Sequence, residues 1–164
     1  MKFVLLDRVI EVVPGKRIVG VKAVSQAEEY LADHFPTFPV LPGVLMLEAM
    51  VEAARWLVWR TEGFAHSMIL LREAKNVTYK SFVAPGHTLR VEVTALRMEP
   101  GESGFAGTGY CEDNEVVKAR FVLAHWNLAD QSPELAQVDR QLLETAKSRW
   151  ALLEGTSAWR AVGV

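Results

Sequence analysis

The sequence predicts an α+β domain in which an antiparallel sheet wraps one long buried helix, with an additional helix at the C-terminal end. Three observations predict it. The stretch from Pro42 to Arg60 is helical in length and apolar nearly all round, as expected of a helix enclosed by other structure. Segments rich in β-branched and aliphatic residues lie on both sides of it, separated by turn signals rather than by further helices, so they pair antiparallel and not through βαβ crossovers. From Ser132 onward, apolar residues recur every three or four positions, the period of an amphipathic helix.

Taken in order, Phe3 to Val13 and Arg17 to Val24 read as a hairpin around Pro14-Gly15-Lys16. Ser25 to Ala32 reads as a short helix capped by Ser25, with Glu28 completing a capping box. Pro36, Pro39 and Pro42 keep Phe35 to Leu41 extended or turned, because each ring fixes its own φ and pushes the preceding residue out of the α region. Pro42 suits the first helical position and Gly63 the stop.

Met68 to Phe82 reads as a strand ended by Ala84-Pro85-Gly86. His87 to Met98 follows, with Leu89, Val91, Val93 and Ala95 on one face and Arg90, Glu92 and Thr94 on the other. Pro100 to Gly104 turns the chain, Phe105 to Cys111 is a small-residue strand, Glu112 to Glu115 a polar turn, and Val116 to Trp126 the last strand. In the tail, Ser132 caps, Pro133 fits the first turn, and Leu135, Val138, Leu142, Ala146, Trp150 and Leu153 form a stripe ending at Gly155. Residues 1–128 are expected to form the domain and 129–164 a helical extension packed on it or on a dimer mate. The last nine residues, with Trp159, are expected to be loose.

A chain of 164 residues, half of them hydrophobic, buries one sizeable core. Its net charge of −2 argues against bulk attraction to nucleic acid or anionic membrane. Glu48, Glu52 and Arg55 inside the central helix argue against a membrane span. The lone Cys111 supports neither an internal disulfide nor a multi-cysteine metal site, so a reducing cytoplasm is the expected location. Asp7 and Arg8 interrupt the apolar N-terminus, which therefore does not read as a signal peptide. His66, His87 and His125 are widely spaced and give no metal-ligand pattern, so neither metal nor cofactor is expected.

The segment HFPTFPVLPGVLMLEAM resembles the signature of the bacterial 3-hydroxyacyl-(acyl carrier protein) dehydratases of hot-dog fold, in which HFP, two further prolines, PG and an acidic helix residue occur at this spacing. LLDRVIEVVPGKRIVGVKAVS resembles the opening hairpin of that family, and AKNVTYKSFVAPGHTLRVEVT the strand pair after its helix. The resemblance covers Phe3 to Ala124. It implies a sheet wrapped round the helix and a homodimer, or a higher oligomer of dimers, with active sites at the subunit interface.

It also implies His34 as the catalytic base, Glu48 as the catalytic acid, and Gly43 as the glycine whose N–H binds the thioester carbonyl. A glutamate at the Glu48 position resembles the branch that dehydrates without isomerising. Asp33 stands where glycine is frequent, Thr37 and Phe38 where a small and a polar residue are usual, and Glu52 where glutamine is common.

Dehydration requires removing a C2 proton, stabilising charge on the thioester oxygen and protonating the departing hydroxyl. A neutral imidazole at His34 suits the first step. The first turn of the helix, at Gly43 and Val44, offers unpaired N–H groups for the second. Glu48 lies about 7–8 Å up the helix from Gly43 at 1.5 Å per residue, so the second subunit is expected to supply the acid opposite His34. Its protonated form would be favoured by burial in an apolar tunnel.

Glu52, one turn on, is expected to contact the substrate region and to share a proton or a water with Glu48, unless Arg55 neutralises it. The stripe Glu48, Glu52, Arg55 also fits an ordinary ion-paired helix face. Phe38, Val40, Leu45 and Met46 are candidates for the acyl tunnel, with core packing an equally good explanation. Arg72, Lys75 and Lys80, with Arg90, are candidates for a basic rim facing an acidic carrier protein.

The resemblance therefore implies an acyl carrier protein or coenzyme A thioester as the partner molecule. Two other readings stay open: a hot-dog thioesterase using a helix glutamate to activate water, and a non-catalytic acyl-thioester-binding or assembly protein using the C-terminal helix as its surface.

Overall fold

The computed structural model describes residues 4–155. It contains strands β1 (Arg8–Val13), β2 (Arg17–Ala23), β3 (Met68–Tyr79), β4 (Thr88–Glu99), β5 (Glu102–Cys111) and β6 (Asn114–Trp126), with helices α1 (Gly43–Glu62) and α2 (Ala136–Leu153). The strands form one antiparallel sheet in the order β1-β2-β4-β5-β6-β3. The sheet curls round α1 in the hot-dog architecture.

Met46, Ala49, Met50, Ala53, Ala54, Leu57 and Val58 of α1 are buried. Each fully buried large aliphatic side chain of this kind contributes about 1.5–3 kcal/mol. The small residues of β5 set the depth at which the helix sits: a Cβ at Gly107 would meet Met50 Sδ at 2.7 Å. On β4 the expected inward face holds, with Leu89, Val91 and Val93 all fully buried and Ala95 partly so.

The face of α1 away from the sheet is covered by α2 and by the segment preceding β1. Ala146, Trp150 and Leu153 of α2 join the core. The Trp150 ring lies 5.7 Å from that of Trp56, with the Arg60 guanidinium 5.1 Å over it. Asp139 ties the start of α2 down by accepting hydrogen bonds from the Ser67 hydroxyl and from the amides of Leu128 at 3.0 Å and Ala129 at 2.9 Å. Arg149 donates to the Leu6 carbonyl at 3.2 Å. The extension thus packs on its own chain, although Val138 and Leu142 of the predicted stripe stay exposed.

Several local expectations are corrected. Ser25 to Ala32 is not a capped helix: only Glu29–Ala32 forms a single 3₁₀ turn. Glu28 turns instead to the buried Lys22 ammonium at 2.8 Å, because a buried cation left unpaired costs more than a lost cap. Pro42 precedes α1 as its N-cap, with ψ of 135°, rather than opening the helix. Ser132 donates to the Glu134 carboxylate, and a 3₁₀ turn at Pro133–Leu135 comes before α2.

Leu5 and Leu6 are not in a strand, since their amides go to Glu52. Gly63 does end α1, in the left-handed conformation with φ of 63°. Among the described residues no helix is long and apolar enough to cross a membrane. Phe3, the expected start of the first strand, and the last nine residues with Trp159 lie outside the described residues.

Candidate active site

His34 sits in a loop that closes on itself. Its amide donates to the Tyr30 carbonyl at 3.1 Å, the Val40 amide donates back to the His34 carbonyl at 3.3 Å, and the Phe38 amide donates to Phe35 at 2.9 Å. The proline-punctuated segment thus forms a tight turn, and the Leu41 amide pins its exit to the Val83 carbonyl at 2.9 Å. Within this turn His34 Nδ1 lies 3.1 Å from the Val40 carbonyl oxygen. A carbonyl only accepts, so this contact requires the proton on Nδ1 and leaves the Nε2 lone pair facing outward in the neutral ring. That is the form a general base needs.

Three residues after Val40, α1 begins. The Pro42 carbonyl accepts from Leu45 at 2.9 Å and Met46 at 3.2 Å, which leaves the amides of Gly43 and Val44 without an acceptor among the described residues. Two free N–H groups at the positive end of a twenty-residue helix form a ready pair of donors for a developing oxyanion. Gly43 is favoured by local packing rather than by φ: a Cβ there would meet the Tyr79 ring at 2.9 and 3.0 Å unless the ring moved. Burial holds the Tyr79 phenol above its ordinary range, so it stays neutral.

Around this helix start lies an exposed apolar rim. Val44 is 64 % exposed, Phe38 55 % and Phe82 60 %, with the last two rings in edge contact at 5.9 Å. Val40 and Met46, in contrast, are fully buried, and Leu45 is partly buried against the core.

Glu48 and Glu52, one turn apart, go to different places. Contrary to expectation, the Glu48 carboxylate is not buried in an apolar tunnel within this chain: it is partly exposed and meets Arg55 Nη2 at 3.3 Å, while Arg55 Nε donates to the Ile69 carbonyl of β3 at 3.0 Å. Glu52 is buried and accepts from the amides of Leu5 at 2.7 Å and Leu6 at 3.2 Å and from Trp56 Nε1 at 3.4 Å. Its carboxylate anchors the N-terminal segment to α1. No hydrogen bond or ion pair joins His34, Glu48 or Glu52 to one another among the described residues.

The basic side chains of the expected rim are not bare charges. Arg72 pairs with Glu102, Lys75 with Glu73 at 2.9 Å, Lys80 with Glu115 at 2.6 Å, and Arg90 with Glu92. Exposed pairs of this kind are worth roughly 0–1 kcal/mol and exchange partners readily. Cys111 is partly buried against the core, and that burial, helped by the Glu112 carboxylate, pushes its thiol up.

Sequence spacing showed only part of one further cluster. Glu62, at the end of α1, His66, in the following loop, and His125, near the end of β6, bring a carboxylate and two imidazoles within 4.8 Å of one another. The i,i+4 spacing of Glu62 and His66 was visible. The approach of His125 depends on the pairing of β3 with β6, where Ile69 faces His125.

Comparison with known proteins gives the family. A family model described as the FabA-like domain matches residues 1–120. The 3-hydroxyacyl-[acyl-carrier-protein] dehydratase FabZ of Desulforamulus reducens is 38 % identical over 122 residues, 74 % of this chain and 86 % of that protein. The protein of the same name from Symbiobacterium thermophilum is 36 % identical over 131 residues, 80 % of this chain and 92 % of the relative.

Among solved structures, the dehydratase heterocomplex ApeI:P from Xenorhabdus doucetiae superposes with a TM-score of 0.65 at 19 % identity, covering 82 % of this chain and 90 % of its own. Protein smu.793 from Streptococcus mutans, bound to acetyl CoA, gives 0.58 at 14 % identity, covering 76 % and 91 %. These two show likeness of fold. With a family model spanning most of the described residues and relatives matched over nearly their whole length, the chain belongs to the FabA-like family, beside the FabZ dehydratases.

Proposed function

We propose that this enzyme removes water from a 3-hydroxyacyl thioester carried on an acyl carrier protein, giving the trans-2-enoyl thioester in fatty-acid or related lipid synthesis. Family membership supports the reaction class. The observation that carries the mechanism is the 3.1 Å contact of His34 Nδ1 with the Val40 carbonyl, which frees Nε2 as the base.

His34 Nε2 takes the C2 proton while the Gly43 and Val44 amides hold the thioester oxygen as charge builds on it. The C3–O bond breaks, and Glu48 gives the hydroxyl the proton that makes it water. A proton passed from the imidazolium to the carboxylate resets both groups.

The acid comes from a second copy of the chain. Among the described residues no hydrogen bond or ion pair links His34 to Glu48, and Phe38, Val44 and Phe82 leave an exposed apolar rim round the start of α1. Among the described residues the outer edge of β3 is unpaired, and Glu48 lies on its side through the Arg55 link to Ile69. A homodimer across that edge covers both. Phe38 and Val44 then contact the acyl chain.

Arg72, Lys75 and Lys80 exchange their glutamate partners for an acidic carrier. Residues 1–128 carry the chemistry, and α2 of the 129–164 extension braces α1 from behind. The enzyme works in the cytoplasm, a location supported by its single cysteine.

The test is incubation with 3-hydroxyacyl thioesters of graded length, on carrier protein and on coenzyme A, following the conjugated enoyl product. Wild type forms it, and His34→Ala and Glu48→Gln each lose at least about a hundredfold in kcat. Release of free thiol without enoyl product would establish the thioesterase reading, and neither product the binding-protein reading.

A further inference from the structure

We infer that Glu62, His66 and His125 form a binding site for one divalent transition metal ion of the zinc class. The three side chains come from the end of α1, the loop after it and the end of β6, and their donor atoms converge. His66 Nδ1 and His125 Nδ1 face each other at 3.4 Å, and His125 Nδ1 lies 3.4 Å from Glu62 Oε1. In a tetrahedral site with bonds of about 2.0–2.1 Å, neighbouring donor atoms stand about 3.3–3.4 Å apart. These two separations are therefore already those of a coordinated ion. The other carboxylate oxygen, Glu62 Oε2, lies 2.6 Å from His66 Nδ1 in a hydrogen bond of the metal-free protein, and its proton is what a cation replaces.

The surroundings fit as well. His125 Nε2 lies 3.1 Å from the Ser103 hydroxyl, which fixes the ring with Nδ1 turned toward the cluster. Two imidazoles and one carboxylate suit zinc, cobalt or nickel better than magnesium or calcium, which prefer all-oxygen shells. The His125 side chain is wholly buried, whereas about a quarter of His66 and of Glu62 is exposed, giving an access path and a fourth position for water. Glu62 stands about 21 Å along α1 from Glu48 at 1.5 Å per residue, so the ion does not touch the reacting atoms. It clamps the C-terminal end of α1 to the sheet and stabilises the fold by linkage.

The test uses full-length protein without a histidine tag, stripped with chelator and dialysed. Zn2+ is titrated by calorimetry and thermal melting, and Co2+ by visible absorption. The expected result is one ion per chain, a Tm that climbs with Zn2+ concentration, and the intense cobalt band of four-coordinate geometry. His66→Ala and Glu62→Gln, both at partly exposed positions, should weaken binding more than tenfold and remove the band while keeping the far-ultraviolet circular dichroism of the fold.

Ser103→Ala should weaken binding about tenfold by releasing the His125 ring. His87→Ala, at an exposed histidine elsewhere, should change nothing. Absence of stoichiometric binding by wild type would overturn the site and leave a hydrogen-bonded cluster. Binding that survives both His66→Ala and Glu62→Gln, or that is lost in His87→Ala, would overturn it equally.

Discussion

Arg55 reaches back two turns along α1 to Glu48 at 3.3 Å and leaves Glu52, its nearer acidic neighbour, to other partners. Its Nε is held at the same time by the Ile69 carbonyl, so the guanidinium is a fixed strut between the edge strand and the carboxylate. Arg55 is accordingly a positioning residue for the acid. Arg55→Met should lower kcat about ten- to a hundredfold with KM little changed, because a carboxylate displaced by about an ångström costs that much. Tm should shift by only a few degrees, and Arg55→Lys should recover part of the rate. A proportionate fall in Tm and kcat, or a change confined to KM, would refute the strut.

Glu52 is where two expectations meet. A carboxylate one turn from Glu48 suggested a shared proton and a shifted acidic limb of the pH–rate profile. Its place under the amides of Leu5 and Leu6 predicts a stability effect instead. Hydrogen bonds to a charged group contribute roughly 1.5–3 kcal/mol, so Glu52→Ala should cost about that amount and free the N-terminal segment to proteolysis. Glu52→Gln keeps one acceptor oxygen and should cost less. If the pH–rate profile of Glu52→Gln moves while its melting curve does not, the anchoring role is wrong and the proton-sharing role stands.

What was legible in the sequence was what lies close along the chain. The alternation of β4, the greasy run of α1 and Gly63 at its end each act over a few residues and appear where the pattern put them. The turns are tighter than expected, with β5 starting at Glu102 and β6 at Asn114, and β3 ends at Tyr79 rather than Phe82. The proline-rich motif was equally local, since the His34 to Val40 turn closes within itself. What stayed hidden depends on which elements meet. Leu5 and Leu6 had to find Glu52 across more than forty residues, and Asp139 had to find Ser67 across seventy-two. The capping box at Ser25 failed to a nearer competitor, since burial of Lys22 on β2, six residues from Glu28, draws that carboxylate to it, and burial is not read from spacing.

The Asp139 tether predicts a pH dependence. Burial pulls its carboxyl upward, and the Ser67 hydroxyl with the Ala129 and Leu128 amides outweighs that pull, holding it below the usual aspartate range. A group lowered in this way contributes stability above its unfolded value, about 3.9, and that stability is lost as pH falls through the lower folded value. Asp139→Asn should therefore melt below wild type near pH 7, by a gap that stays level down to about pH 5 and shrinks below about pH 4. A gap of constant size across that range would mean that the charge of Asp139 has no part in holding α2.

The last prediction concerns Gly43, where helix propensity and local packing pull in opposite directions. Alanine is the better helix former by about 0.8–1.0 kcal/mol, and Gly43 does not have a positive φ, so the backbone alone would accept Gly43→Ala. The Tyr79 ring, 2.9 Å from where the new Cβ would sit, is what objects. That ring is about half exposed and swings aside, so Tm should change little. The displaced ring and the added methyl then crowd the two free amides, and kcat/KM should fall about ten- to a hundredfold. Trimming the obstacle in Gly43→Ala/Tyr79→Ala should return a substantial part of the loss, since the methyl then occupies room the ring gave up. Full activity in Gly43→Ala would show that the amide pair at the head of α1 tolerates crowding and does not hold the thioester oxygen. A double variant no better than the single would move the cause from Tyr79 to the helix start itself.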